Sequence, residues 1–274
     1  MSSRNGVSVL IFTLNEELHL PRCLESVGWC DDVIVVDSFS TDRSAEICRT
    51  QGARFIQHAF TSMWEQRNWA LEYAGAMHDW VLILDADERV TPGLAAELQA
   101  VVRSAREQIA AYRLRRRFYM WGRWLRYSSL YPTWLVRLVR RDRVRYFSQG
   151  HGEGQRVEGA TGELENDLID ENLRGIAEWF CRQNLYSSRD ANYELQIESD
   201  PLNVKALFGV DAVERRVALK RVAMKLPFRA LAYFLYSYVL RFGFLEGRDG
   251  LMFCIMKALY QEMVLIKKYD QKRR

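Results

Sequence analysis

The sequence predicts an α/β domain with a mostly parallel sheet, followed by a C-terminal region of amphipathic helices. Three observations carry this expectation. Over the first hundred residues, continuous apolar runs alternate with segments of helical spacing. Three of those runs end in positions bearing carboxylates or amides. Beyond residue 201, basic residues alternate with short apolar runs, and no stretch reaches 18 uncharged apolar residues.

The first run is VSVLIFTL at 7–14, an apolar, β-branched segment of the kind that is buried on both faces, followed by Asn15 and Glu16. EELHLPRCLESV then has helical spacing through Leu18, Leu24 and Val27. VIVV at 33–36 predicts a second strand ending at Asp37. Ser40 and Thr41 are capping residues for a helix starting near Asp42, and Gly52 is its stop signal. ARFIQH is a third strand and MWEQRNWALEYA a helix. WVLIL at 80–84 predicts a fourth buried strand, which runs into Asp85-Ala86-Asp87-Glu88. Thr91 and Pro92 open the next helix, Thr as cap and Pro at the first helical position. Open parallel sheets bind ligands beyond their C-terminal strand ends. Asn15-Glu16, Asp37 and Asp85-Asp87 are therefore expected on one rim.

From residue 111 the character changes. AYRLRRRFYMWGRWLRY and TWLVRLVRRDRVRYF interleave arginine with aromatic residues, which predicts strands or an extended loop. Residues 148–175 are glycine-rich and acidic, and 176–197 have helical spacing. ESDP at 198–201 marks a boundary, giving domains 1–200 and 201–274.

The formal net charge of +4 conceals four blocks: −8 over 1–100, +11 over 101–147, −8 over 148–201 and +9 over 202–274. Acidic blocks suit cations, and basic blocks suit phosphates or anionic membranes. With 49% hydrophobic residues the chain is globular, not disordered. Five cysteines without C-x-x-C spacing argue against a disulfide framework or a zinc site and for a reducing compartment. The first residues lack the pattern of a secretory signal.

Asp85-Ala86-Asp87 is the sharpest chemical motif. In an extended backbone, residues two apart share a side, so two carboxylates would face one cavity and hold a hard dication. The same residues are also explained as an acidic cluster at a helix N-terminus. Asn15 and Asp42 have a capping explanation of their own.

Taken in order, VSVLIFTLNEELHLPRCLESV, VIVVDSFSTDRSAEI, QRNWAL and WVLILDADERVTPGL resemble the nucleotide-sugar half of family two inverting glycosyltransferases. The resemblance covers roughly residues 7–98 and implies the GT-A fold, which is Rossmann-like. RNWAL, GRWLRYSSLYPTWLVRLVRR and GFLEGRDGL extend it toward enzymes that glycosylate lipopolysaccharide core or related glycolipids. It implies a nucleotide-sugar donor, UDP-linked, and Mg²⁺ or Mn²⁺. Thr13, Asn15, Glu16, Asp37, Arg67 and Asp85 would bind the donor nucleotide, with Asp37 on uracil or ribose. Asp87 would ligate the metal directly, with Asp85 beside it. Arg67 has a second explanation, as part of a solvated helix face.

Inversion needs a group to take the acceptor hydroxyl proton. By resemblance this is Glu153, with His151 as orienter or substitute base, in Gly150-His151-Gly152-Glu153-Gly154. Relatives place His and Glu side by side, whereas Gly152 intervenes here. Relatives also carry a histidine further on, where this chain reads Asp170-Glu171-Asn172, so Asp170 and Glu171 remain alternatives. A glycine-rich turn with solvated side chains is the plain structural explanation.

The block at 113–126 would contact a phosphate-rich acceptor, or it is a set of half-buried strands with snorkelling arginines. Arg216, Lys220, Arg221, Lys225 and Arg229, followed by apolar runs too short to span, suit peripheral attachment to the anionic inner face of the cell membrane. Packing of those helices as core or as a dimer contact is the alternative. A sugar-phosphate nucleotidyltransferase needs a glycine-rich basic loop after its first strand, and Phe12–Glu17 has neither Gly nor Arg. A nucleic-acid module has only the basic blocks in its favour, so no nucleic acid is expected as a partner.

Overall fold

The computed structural model describes residues 6–149, 152–198 and 228–274, with isolated positions 215, 218, 222 and 224. His151, Arg216, Lys220, Arg221 and Lys225 lie outside the described residues. Among the described residues the chain divides into two compact units. One comprises 6–126, 131–148 and 152–174; the other comprises 127–130, 149 and the described part of 175–274. The helix at 175–196, expected with the first domain, belongs to the second unit.

The first unit is built on β1 (Val7–Thr13), β2 (Asp32–Asp37), β3 (Arg54–Gln57) and β4 (Trp80–Asp85), all mutually parallel in the order β3-β2-β1-β4. Between them run α1 (Leu20–Ser26), α2 (Ser44–Thr50) and α3 (Met63–Tyr73). The apolar runs are continuous because both faces are covered. Val9 and Ile11 of β1 enter one apolar cluster and Leu10 the other. Gly52 closes α2 with φ +72°, a conformation that favours glycine, as the stop signal predicted. Thr91 caps α4 (Pro92–Ser104), its hydroxyl accepting from Leu94 N at 3.2 Å.

One helix starts differently from expectation. α2 begins at Ser44 without a side-chain cap from Ser40 or Thr41. Those two residues serve the neighbouring strand end instead. Asn15 N donates to Ser40 Oγ at 2.7 Å, and Thr41 N donates to Asn15 Oδ1 at 2.8 Å.

The sheet continues through β6 (Ile109–Met120), β8 (Thr133–Arg140) and β11 (Ala160–Glu171). β8 runs antiparallel to both β4 and β6, and β11 runs parallel to β6. The short strands β5 (Glu88–Val90) and β7 (Arg123–Trp124) pair antiparallel with β11 and β6. β9 (Val144–Gln149) and β10 (Gly152–Val157) form a separate two-stranded sheet. The directions matter for function. β1, β2, β4 and β11 all point the same way, so Thr13, Asp37, Asp85 and Asp170 share the C-terminal rim.

β11 also explains the charge blocks. Its acidic residues register beside the arginines of β6, with Glu163 opposite Arg113 and Asp167 opposite Arg115. Arg115 and Arg117 both bind the buried Asp167, at 2.9 and 2.6 Å, Arg116 binds Asp170 at 2.9 Å, and Arg113 binds Glu163. Arg113 and Arg117 also lie over the rings of Trp134 and Trp124, at 5.0 and 4.8 Å. For these four arginines the half-buried-strand explanation holds: their charge is spent on the adjacent strand.

The second unit repeats the device. α5 (Gly175–Gln196) packs against the long helix Gly247–Arg273, around Ala191, Tyr260 and Val264. Buried Glu194 takes both Arg229 at 2.8 Å and Lys268 at 3.1 Å, and Lys272 binds Glu198 at 2.7 Å. Arg229 is therefore no part of a lipid-facing basic stripe. Removing a buried partner of this kind costs about 3–5 kcal/mol, so the pair is held in place by the fold.

Candidate active site

The rim is organised by a buried ionic network. Asp85, the last residue of β4, receives Arg67 Nη2 of α3 on one oxygen at 2.8 Å and Arg137 Nη2 of β8 on the other at 2.9 Å. Arg137 also binds Glu88 at 2.6 Å, and Glu88 accepts Asp85 N at 2.9 Å. The second Arg67 nitrogen binds Glu153 on β10. One guanidinium thus joins the strand-end carboxylate to the predicted base. Phe12 and Tyr146 lie beside Arg67, each ring centre 5.7 Å from its guanidinium carbon.

Burial would raise the Asp85 carboxyl, but Arg67 and Arg137 outweigh it and hold it well below the usual carboxylate range. The opposite happens at Glu88 and Asp170. Burial pushes Glu88 up to about 8, against Arg137 and helped by Asp85 and Asp170. Burial pushes Asp170 up to about 6, against Arg116 and helped by Asp87 and Asp85. The rim therefore holds more carboxylate charge than its arginines offset.

Ala86 and Asp87 form a turn, so the D-x-D does not present its carboxylates by strand alternation as expected. Asp85 is committed to two guanidinium groups and is not an open ligand. Asp87 receives Asn172 Nδ2 on Oδ2 at 3.0 Å, and among the described residues its Oδ1 receives no hydrogen bond. These residues fit a hard dication. An open carboxylate oxygen on Asp87, next to an Asp170 whose ionisation the neighbouring carboxylates oppose, is the donor chemistry that Mg²⁺ or Mn²⁺ relieves. Among the described residues, no group of three or more His, Cys, Asp or Glu side chains forms a ready-made cage.

The other predicted residues gather at the ends of β1 and β2. Asp37 is fully buried and receives Thr13 Oγ1 at 3.0 Å, Ser40 N at 2.8 Å, Gln57 Nε2 at 3.3 Å and Ser40 Oγ. In this structure its carboxylate organises the loop and has no exposed face to offer a base. Asn15 is exposed, with φ +55°. Glu16 is clamped between His19 Nδ1 at 2.6 Å and Arg174 at 3.0 Å. Leu173 N donates to His19 Nε2 at 2.8 Å, so Nδ1 carries the proton that Glu16 accepts. Arg174 also donates to the Asn15 carbonyl.

Residues 8–160, more than half of the chain, match Glycosyl transferase family 2. The chain belongs to this family. The lipopolysaccharide core biosynthesis glycosyltransferase LpsC of Rhizobium meliloti is 30% identical over 209 residues, covering 74% of this chain and 76% of LpsC. Uncharacterized glycosyltransferase RT0209 of Rickettsia typhi is 34% identical over 111 residues, covering 40% and 37%. A mannosyltransferase from Pyrobaculum calidifontis, solved with GDP-Man and Mn²⁺, superposes with a TM-score of 0.52 at 14% identity, over 96% of this chain and 86% of its own. That likeness is one of fold, and the fold is GT-A. The chain is accordingly a family 2 glycosyltransferase.

Several residues of this rim escaped the sequence reading: Arg137, Glu88, His19, Asn172 and Arg174. Arg137, Asn172 and Arg174 have partners far off in sequence, while His19 and Glu88 pair three residues away, with Glu16 and Asp85, as well as with distant groups. The only available signal for Glu88 and Arg137 was charge within otherwise apolar strand sequence.

Glu88 and Asp170 are both raised, so the folded protein retains protons there that the unfolded chain has released. Stability is greatest below the unfolded carboxylate values and is lost as pH rises through about 6 and then about 8. The thermal midpoint should therefore fall as pH rises from about 4 to about 8, and Glu88→Gln should flatten the part of that slope above about pH 6. A midpoint that rises across this window would contradict the charge assignment.

Proposed function

We propose that this glycosyltransferase moves a sugar, with inversion, from a UDP-linked donor to a lipopolysaccharide-core or other lipid-linked glycan, with Mg²⁺ or Mn²⁺ at the donor diphosphate. The observation that supports this reading is the Arg67 bridge, which joins Glu153, a largely buried carboxylate, to Asp85 at the end of β4. The acceptor class is supported by the role named for LpsC.

Arg67 holds one oxygen of Glu153, and the other, Oε2, is buried and has no hydrogen-bond partner among the described residues. Oε2 takes the proton of the acceptor hydroxyl as that oxygen attacks the sugar C1 from the face opposite the diphosphate. The C1–O bond to the phosphate breaks, and its electron pair leaves on the nucleoside diphosphate. Asp87 and Asp170 would hold the cation, which when bound spreads the charge developing on that leaving group. Asn172 orients Asp87 through its hydrogen bond. His151 remains the proposed orienter of Glu153.

The reading also sets the enzyme on an anionic membrane surface at the inner face of the cell membrane. Leu231, Leu235, Leu240, Phe242, Phe244 and Leu245 are all exposed within 15 residues, a density suited to burial at the headgroup boundary. Among the described residues no helix is long and apolar enough to cross a membrane.

Glu153→Gln should retain UDP binding in Mn²⁺ and lose turnover by roughly 100-fold or more, measured with a panel of nucleotide sugars and a membrane glycolipid extract. Near wild-type turnover would move the base to Asp170, Glu171 or His151. Serine at positions 235, 240 and 242 should release the protein from anionic vesicles in a sedimentation assay while its UDP binding is unchanged. Equal partitioning of variant and wild type would show that this apolar surface serves another contact.

A further inference from the structure

Phe39 is placed at a cost the fold does not recover. It follows Asp37-Ser38 directly at the end of β2, and its backbone has φ +61°. For a residue with a Cβ this left-handed conformation is unfavourable. Its ring is 55% exposed, so core packing does not offset the strain. The segment around it is nonetheless fixed on every side. Ser38 N donates to the Thr13 carbonyl at 2.9 Å, and Ser38 Oγ accepts from Gln66 Nε2 at 2.7 Å. Ser40 is held by the fully buried Asp37 and receives Asn15 N. A strained, uncovered aromatic on an over-determined loop is the signature of a ligand contact.

Its position names the ligand. Asp37 pairs in register with Thr13, so Phe39 and the exposed Leu14 follow from adjacent strand ends on the C-terminal rim. This is where an open parallel sheet receives a nucleotide. Asp37 itself is saturated by internal donors, so it leaves recognition of the base to a neighbouring group. We propose that Phe39 is the stacking platform for the nucleobase of the donor. The inference rests on the nucleotide-sugar reading of this rim and adds the residue that grips the base. Stacking uses the π-face that every base shares, so Phe39 supplies affinity for the nucleoside and none for the diphosphate.

This predicts a divergence between stability and binding. In Phe39→Gly the strain disappears together with the ring. The thermal midpoint should rise by a few °C, while UDP affinity in Mn²⁺, measured calorimetrically, falls roughly tenfold, the size of one base–aromatic stack. Pyrophosphate in Mn²⁺, which has no base, should bind the variant and the wild type equally. Phe39→Ala should lose the same UDP affinity without gaining stability, and Phe39→Tyr should keep it. Equal weakening of UDP and pyrophosphate would mean that the substitution disturbs the loop, and an unchanged UDP affinity in Phe39→Gly would remove Phe39 from the site; either result overturns the proposal. If the wild type binds neither UDP nor GDP in Mn²⁺, the nucleotide reading of the rim fails and Phe39 falls with it.

Discussion

Two arginines converging on one strand-end carboxylate set the terms for the rest of the first unit. Asp85 stands at the end of the innermost parallel strand, where a lone buried charge would be expensive. Arg67 and Arg137 neutralise it, and each carries a second carboxylate along: Glu153 through Arg67, Glu88 through Arg137. A helix, three strands of the main sheet and the β9–β10 ribbon are thereby tied at one point. The proposed donor and base residues are thus held by the same electrostatics that makes the strand end tolerable.

Charge pairing between neighbouring elements recurs through the chain. The basic strand β6 lies beside the acidic strand β11, and acidic α5 faces the basic residues of the long C-terminal helix and Arg229. Segregated charge in the sequence is therefore mutual neutralisation in each unit. That leaves the arginine–aromatic block with less free charge for an acceptor than its composition suggests. It also leaves the proposed membrane attachment to rest on the exposed apolar residues at 231–245.

The parallel core was legible in the sequence because strands buried on both faces must be apolar throughout, and the four runs have no other economical explanation. The shared rim then followed from strand direction, which puts Asn15-Glu16, Asp37 and Asp85-Asp87 at one end of the sheet. β11 was not legible. ATGELENDLIDE has neither a continuous apolar run nor clean alternation, and it is a strand because β6 supplies its partners some 50 positions away. Ser40 and Thr41 looked like helix caps because capping is local, while Asn15, which both of them bind, lies just past the end of another strand. One contact of His19, with Glu16, is local, but the other comes from Leu173, across most of the domain, and no local pattern announces it.

Arg67 holds Glu153 and Asp85 in one ionic unit. A double-mutant cycle in urea unfolding tests it most directly. Arg67→Met alone leaves the partly exposed Asp85 and the largely buried Glu153 short of a partner and should cost about 2 kcal/mol or more. In a Glu153→Gln background the same substitution should cost less by at least about 1 kcal/mol, because one of those charges is already gone. Equal costs in the two backgrounds would mean that Arg67 does not hold Glu153, and the link between the donor-side carboxylate and the base would be lost.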